Sequence, residues 1–364
     1  MDKVRFGIVG VGTMGKGHAR NFLDGKVKDG VLTAVYDIDP KQTEWLKDTD
    51  ADVKIFNSTA DMLKSREIDA LLVATPHYFH PPLAMEAFSH KIHVMIEKPA
   101  GVYTQQVREM NEAAAETDVV FGIMYQQRTN SDFQKIRQMV KDGELGEIKR
   151  TNWIITDWYR SQAYYNTGGW RATWKGEGGG VLLNQCPHNL DLWQWICGMP
   201  ELVNAHIHYG KWHDIEVEDD VTAYVEYPNG ATGVFVTSTG DAPGTNRFEI
   251  TLDKGKLVAE NGKLTLWELS CTIDEFSRTN TEMFAAPEAT EIEVETDGKN
   301  QQHAGVLNAF AGAILRGEPL IANGIEGING LMISNAMHLS AWLGKSVTLP
   351  IDEELFYYEL TTRY

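Results

Sequence analysis

Val4-Arg5-Phe6-Gly7-Ile8-Val9-Gly10-Val11-Gly12-Thr13-Met14-Gly15 decides the fold of this chain. An apolar run, Val4, Phe6, Ile8 and Val9, enters three glycines spaced GxGxxG and passes into a helix-like segment that reaches Ala19. Each glycine answers a separate steric demand. Gly10 permits a tight turn, Gly12 lets a pyrophosphate approach bare backbone, and Gly15 packs helix on strand so that the helix N-terminus faces the phosphates. Glycine-rich turns are common, so the spacing alone is a weak signal. A second apolar run, Val31 to Tyr36, strengthens it by ending in Asp37, about 20 residues on, where ribose hydroxyls need an acceptor. Thr13 and Met14 belong to the same cofactor-binding turn. Asp37 is followed by Ile38, Asp39 and Pro40, with Lys41 the nearest cation. A carboxylate there repels a 2′-phosphate, so the expected cofactor is NAD rather than NADP.

Working outward, short apolar runs alternate with amphipathic segments as far as Tyr125: Val31 to Asp37, Val53 to Phe56, Ile68 to Thr75, Lys91 to Glu97 and Val119 to Tyr125. Near-continuous apolar character in such short runs implies strands covered on both faces, a doubly wound parallel sheet in an α/β domain. Ligands collect beyond the carboxyl ends of such strands, where Asp37, Thr75 to His77, Glu97 to Pro99 and Tyr125 to Arg128 fall. Beyond a predicted helix at Ser131 to Lys141, strand-like runs follow one another directly: Ile148 to Asp157, Leu202 to Lys211, Val221 to Tyr227, Thr232 to Thr239 and Arg247 to Leu252. Asn229-Gly230 between two of them is a strong hairpin signal. This half reads as an α+β domain with a mostly antiparallel sheet, completed by helices near His303 to Arg316 and Gly324 to Leu343. The expected division is 1–128 and 129–364. The polar stretch from Glu288 to Gln302 reads as a loop or edge strand.

Composition narrows the function. A length of 364 residues suits two domains, and a formal charge of −18 argues against a nucleic-acid partner or an anionic membrane surface. No apolar stretch approaches the roughly 20 residues of a membrane span. Cys186, Cys197 and Cys271 are an odd number with no CxxC, so they read as buried free thiols in a reducing, cytoplasmic setting. The histidines and carboxylates never fall into a metal-ligand spacing, and no metal is expected.

Two constellations can carry chemistry. Glu97-Lys98-Pro99 ends the fifth strand, where a partly dried lysine can hold a developing alkoxide or act as a base if its pKa falls. Gly178-Gly179-Gly180 introduces a segment in which Asn184, His188 and Asp191 are spaced four and three apart, the spacing of one helix face. Aromatic rings surround it, among them Trp153, Trp158, Tyr159, Tyr164, Tyr165, Trp170 and Trp174; flat rings match the apolar face of a sugar or cyclitol.

Taken together, the GxGxxG start, Glu97-Lys98-Pro99, Gly143-Glu144-Leu145-Gly146, the glycine-rich turn and the Asn184 to His188 segment resemble the Gfo/Idh/MocA oxidoreductases over essentially the whole chain. The resemblance implies an N-terminal Rossmann domain and an open-faced sheet domain that assembles a homo-oligomer, a dimer or tetramer. It implies that Lys98 and His188 match the catalytic lysine and histidine. Asn184, taken with them as catalytic, stands where many relatives carry aspartate. It places Thr75 and Pro76 against the cofactor, and Trp170 and Arg171 near the nicotinamide. His77 either joins the cofactor contacts or, with His80, caps the next helix. Gln126 reaches the nicotinamide ribose or belongs to a plain turn. Glu97 counts with the cofactor set, and Arg128 and Tyr159 with Lys98, Trp170, Asn184 and His188 as substrate contacts. The expected function is oxidation of a secondary alcohol of a sugar, sugar derivative or inositol by NAD. The alternatives are a redox-neutral enzyme of the same family that eliminates a substituent or cleaves a glycoside, and a non-enzymatic nucleotide-binding regulator.

Overall fold

The computed structural model describes residues 2–49 and 51–364. These form two compact units, one from the residues up to Thr129 with Gly176–Gly178 and Asn300–Leu331, the other from Asn130–Lys175, Gly179–Lys299 and Met332–Tyr364. The first unit begins β1 (Val4–Val9), α1 (Thr13–Leu23), β2 (Gly30–Tyr36), β3 (Lys54–Ile55), α2 (Thr59–Lys64), β4 (Ala70–Val73), α3 (His80–Ser89), β5 (His93–Ile96), α4 (Thr104–Ala115) and β6 (Phe121–Ile123). All pairings are parallel and the strand order is β3-β2-β1-β4-β5-β6. Every residue of β4 is buried, as the continuous apolar run requires of a strand covered on both faces. This is the Rossmann arrangement, with the chain reversing direction across the sheet between β1 and β4.

The second unit holds α5 (Ser131–Lys141), β7 (Ile148–Ile155), α6 (Gln162–Tyr165), α7 (Pro187–Cys197), β8 (Leu202–Tyr209), β9 (Glu218–Glu226), β10 (Thr232–Ser238), β11 (Asn246–Leu252), β12 (Gly255–Glu260), β13 (Lys263–Leu269), α8 (Ile273–Thr279) and β14 (Ala289–Glu293). The chain continues through α9 (Gln302–Arg316), α10 (Gly327–Leu343), β15 (Val347–Thr348) and α11 (Glu353–Thr361). Nine strands run β14-β13-β12-β11-β7-β10-β9-β8-β15, antiparallel except for the β7/β10 pair. Alternation sets two faces. Ala223, Val225, Phe235 and Trp153 are buried, and α7 lies over this face, its Trp193 ring stacked 5.3 Å from Phe235. On the other face Tyr224 opposes Val234, and Val236 opposes Ile154. Tyr224 and Ile154 remain 39% and 38% exposed, which leaves an apolar strip uncovered within the unit.

Three expectations need correction. The helix expected at His303 to Arg316 to complete the second half instead belongs to the first unit, where Phe310 of α9 packs 6.1 Å from Phe6 of β1 and Val306, Leu307 and Ala311 join the same core. The sheet extends past the five strand-like runs through a further hairpin, β12 and β13, turning at Asn261-Gly262 with both residues at positive φ. Of the thiols only Cys186 is buried; Cys197 and Cys271 are half-buried, and all three are free.

Candidate active site

The glycine turn of the first unit matches the steric demands read from its spacing. Gly10 sits at φ +85°, and a Cβ there would lie 2.5 Å from the Ala74 carbonyl oxygen. A Cβ on Gly15 would strike the Gly10 carbonyl at 1.8 Å, whereas one on Gly12 would meet nothing within 4 Å. Gly12 is the N-cap of α1 and no side chain caps the helix, so its first amides are available to an anion. Thr13 and Met14 are exposed on this first turn. Asp37 Oδ2 accepts from Val11 N at 2.6 Å and Oδ1 from Asp39 N at 2.9 Å, so the carboxylate braces the turn while each oxygen keeps an acceptor site. The residues present fit a dinucleotide: an open cradle at Gly12, a bare helix start and an acceptor at the end of β2.

Thr75 and Pro76 follow β4, both half-buried, with the Thr75 amide beside Gly10. His77 begins a short 3₁₀ turn with Nδ1 3.1 Å from the Glu177 carbonyl. His80 starts α3 and is fully buried, its Nδ1 2.7 Å from Pro99 O and its Nε2 2.8 Å from Thr75 O, so it ties the loops after β4 and β5 together. Gln126 is buried at the start of the turn after β6. Arg128, in the same turn, is 2% exposed, with Nη1 donating to Glu326 Oε2 at 2.7 Å.

Glu97, at the end of β5, is 4% exposed. Its Oε1 lies 2.6 Å from His18 Nε2 of α1, and its Oε2 accepts from Lys98 N at 3.0 Å. Burial pushes this carboxyl up, but the hydrogen bond from His18 and the charges of His18, Lys98 and His303 outweigh it and hold the group down to about 2. Burial pushes His303, on α9, below the ordinary histidine value. Lys98 itself is half-buried.

In the second unit, the turn after the glycines hangs on one side chain that sequence reasoning missed. Glu218 is fully buried; Oε2 accepts from Gly180 N at 2.8 Å and Oε1 from Leu182 N at 3.0 Å. His338 Nε2 lies 3.1 Å from Oε2, within ion-pair reach although off a hydrogen-bonding axis. Gly180 is required because a Cβ there would stand 2.1 Å from the Glu218 carbonyl. The legible signal was the acid run Glu216, Glu218, Asp219, Asp220 leading straight into an apolar strand. Asn184 lies in this turn and not on a helix, because α7 starts only at Pro187, a residue suited to a first helical position. His188 is the second residue of α7 and 7% exposed. The polar strip on α7 therefore runs His188, Asp191, Gln194, all buried, with Gln194 Nε2 donating to Asp191 Oδ1 at 3.0 Å. Arg171 lies over the rings of Trp170 and Tyr164 at 4.7 and 4.8 Å and donates to the Tyr164 hydroxyl at 2.8 Å. Tyr159 is 52% exposed.

Residues 4–125 match the model of the oxidoreductase family with an NAD-binding Rossmann fold, and residues 133–258 match the Gfo/Idh/MocA C-terminal domain. The chain belongs to the Gfo/Idh/MocA oxidoreductases. Among relatives of this Gfo/Idh/MocA protein, a myo-inositol 2-dehydrogenase of Thermotoga maritima is 24% identical over 356 residues, 95% of this chain and 98% of the relative. A D-glucoside 3-dehydrogenase of Escherichia coli is 29% identical over 62% of this chain and 68% of its own length. The WlbA dehydrogenase of Chromobacterium violaceum, solved with NADH and UDP-GlcNAcA, superposes with a TM-score of 0.83 at 28% identity, covering 97% of each chain. The first unit is accordingly an NAD-binding Rossmann domain of an oxidoreductase.

Proposed function

We propose that this protein is an NAD-dependent dehydrogenase that oxidises a secondary alcohol of a sugar, sugar derivative or inositol. The observation that carries the reading is the end of β5, where a half-buried Lys98 follows a buried, ionised Glu97 in the same unit as an open dinucleotide cradle. The relatives that act on inositol and on a glucoside, and the sugar-nucleotide complex of the similar dehydrogenase, support the substrate class. The backbone of Gly10, Gly12 and Gly15 with Thr13 and Met14 holds the pyrophosphate, Asp37 accepts from the ribose, and Thr75, Pro76, His77 and Gln126 flank the dinucleotide, with Trp170 and Arg171 toward the nicotinamide. The bound nicotinamide supplies hydride acceptance and return. Lys98 donates a hydrogen bond to the oxygen as negative charge develops, and His188 takes the hydroxyl proton. Asn184 offers an amide donor and acceptor to neighbouring hydroxyls, and Tyr159 an exposed ring face. Asn184 is neutral, so the histidine works without an acidic partner at that position. We also place the protein in the reducing cytoplasm, in keeping with its free thiols.

The test is a panel of inositols, hexoses, glucosides and uronic acid derivatives with NAD, followed by NADH absorbance. Lys98→Ala and His188→Ala are expected to bind NADH as wild type does while turnover falls on the order of 10²-fold or more, as for loss of a positioned proton-transfer or charge-stabilising group. Substrate turnover without net NADH would overturn the dehydrogenase reading.

A further inference from the structure

The sequence left two roles open for Lys98, base or charged donor. A carboxylate buried at the end of an apolar strand is costly, and exchanging such a pair for apolar side chains is often neutral or stabilising, so fold stability is a poor reason for Glu97 to be there. Its geometry suggests another. One oxygen is fixed to α1, the helix that starts at the dinucleotide cradle, through His18, and the other holds the backbone amide of Lys98. His18 Nε2 must be the donor, because an ionised carboxylate can only accept. The groups facing Glu97 are His18 from α1, His80 from α3, Lys98 and His303 from α9. Burial disfavours charge on His80 and His303. The anion therefore faces chiefly His18, its anchor, and Lys98, whose backbone amide it also holds.

We propose that Glu97 is a positioning residue for Lys98, anchored by His18, whose fixed negative charge keeps the lysine an ammonium donor and prevents it from serving as the base. This rests on the reading of Lys98 given above and divides the labour with His188.

The experiment needs no substrate. Trace acylation with acetic anhydride, read by peptide mass spectrometry, gives the reactivity of Lys98 relative to the exposed Lys91 in the same protein. In wild type the half-reactivity of Lys98 is expected near or above the ordinary lysine value of about 10.4; a value below about 9 would mark a base and overturn the proposal. Glu97→Gln is expected to raise the Lys98 to Lys91 ratio at pH 8 about tenfold, the size of a one-unit change from losing an adjacent opposite charge. Glu97→Asp keeps the charge and should stay within about threefold of wild type. An unchanged ratio in Glu97→Gln, or equal rises in both variants, would show packing and not charge to be responsible. If Glu97→Gln does not fold, the wild-type titration still decides. In His18→Gln, exchange of the Lys98 amide hydrogen is expected to quicken at least tenfold on the order of a lost hydrogen bond; unchanged protection removes His18 as the anchor. Full turnover by Lys98→Ala would instead defeat the functional reading of Lys98 while leaving the acylation result intact.

Discussion

Replacing Glu218 by alanine removes the side chain from which the turn bearing Asn184, just before His188 on α7, is suspended. Two buried backbone amides, those of Gly180 and Leu182, lose their acceptors, and His338 loses a carboxylate 3.1 Å away. An unsatisfied buried donor costs about 1–3 kcal/mol, so the two amides together come to about 2–6 kcal/mol. The second unit contains roughly 200 residues. At about 2–4 °C per kcal/mol for that size, a mid-range loss lowers its melting transition by about 8–16 °C. Glu218→Gln retains one acceptor oxygen but turns an NH₂ toward the other amide, and should fall between the two at about 1–3 kcal/mol. Calorimetry gives the shifts, and amide exchange over residues 176–190 locates them. Glu218→Ala melting within about 2 °C of wild type, with Gly180 and Leu182 still protected, would refute the reasoning, since the amides would then have found water or other acceptors.

Catalytic efficiency with NAD should exceed that with NADP, and Asp37→Ser should narrow the ratio; equal efficiency in wild type would oppose the assignment of Asp37 to the ribose. Burial pushes His80, His93 and His303 below the ordinary histidine value of 6.5, so the unfolded chain binds more protons than the folded one just below that pH. Stability from these groups is full above pH 6.5 and falls as the pH drops through it; Glu97, held down to about 2 from 4.5, adds a contribution lost between those two values. A first-unit melting point at pH 5 equal to or above that at pH 8 would contradict this. We propose that the uncovered strip of Ile154, Tyr224, Val234 and Val236 is buried in a homo-oligomer, a dimer or tetramer. Sedimentation velocity should show an oligomer that Val234→Lys weakens, and a wild-type monomer at micromolar concentration would count against it.

The glycine turn and the parallel sheet were legible because the first rests on local sterics and the second on short, continuous apolar runs. The β12/β13 hairpin was equally legible from Asn261-Gly262, the same signal used at Asn229-Gly230. Other features were not local. The apolar stripe of α9 records that the helix buries a face but not which sheet receives it, and chain order favoured the wrong one. Spacing suggested that Asn184 shares a helix with His188, yet Pro187 starts the helix and leaves Asn184 in the turn before it. The buried acids Glu97 and Glu218 look like ordinary surface charges until the histidines and amides that satisfy them, 79 and 38 residues away in sequence, are brought alongside.

Because α9 supplies Val306, Leu307, Phe310 and Ala311 to the core built on Phe6, the first sheet has a gap in its packing until the polypeptide has been made through α9. Truncating a buried phenylalanine to alanine costs about 3–5 kcal/mol, a large share of the 5–15 kcal/mol that keeps a typical domain folded. A nascent chain that has emerged only through β14 therefore carries a nucleotide-binding sheet with an open apolar seam. The ribosome must synthesise eight of the nine strands of the second sheet, β7 to β14, before that seam can close. The cofactor domain, begun at β1, therefore waits during synthesis for a helix made only after the strands β7 to β14 of the other sheet.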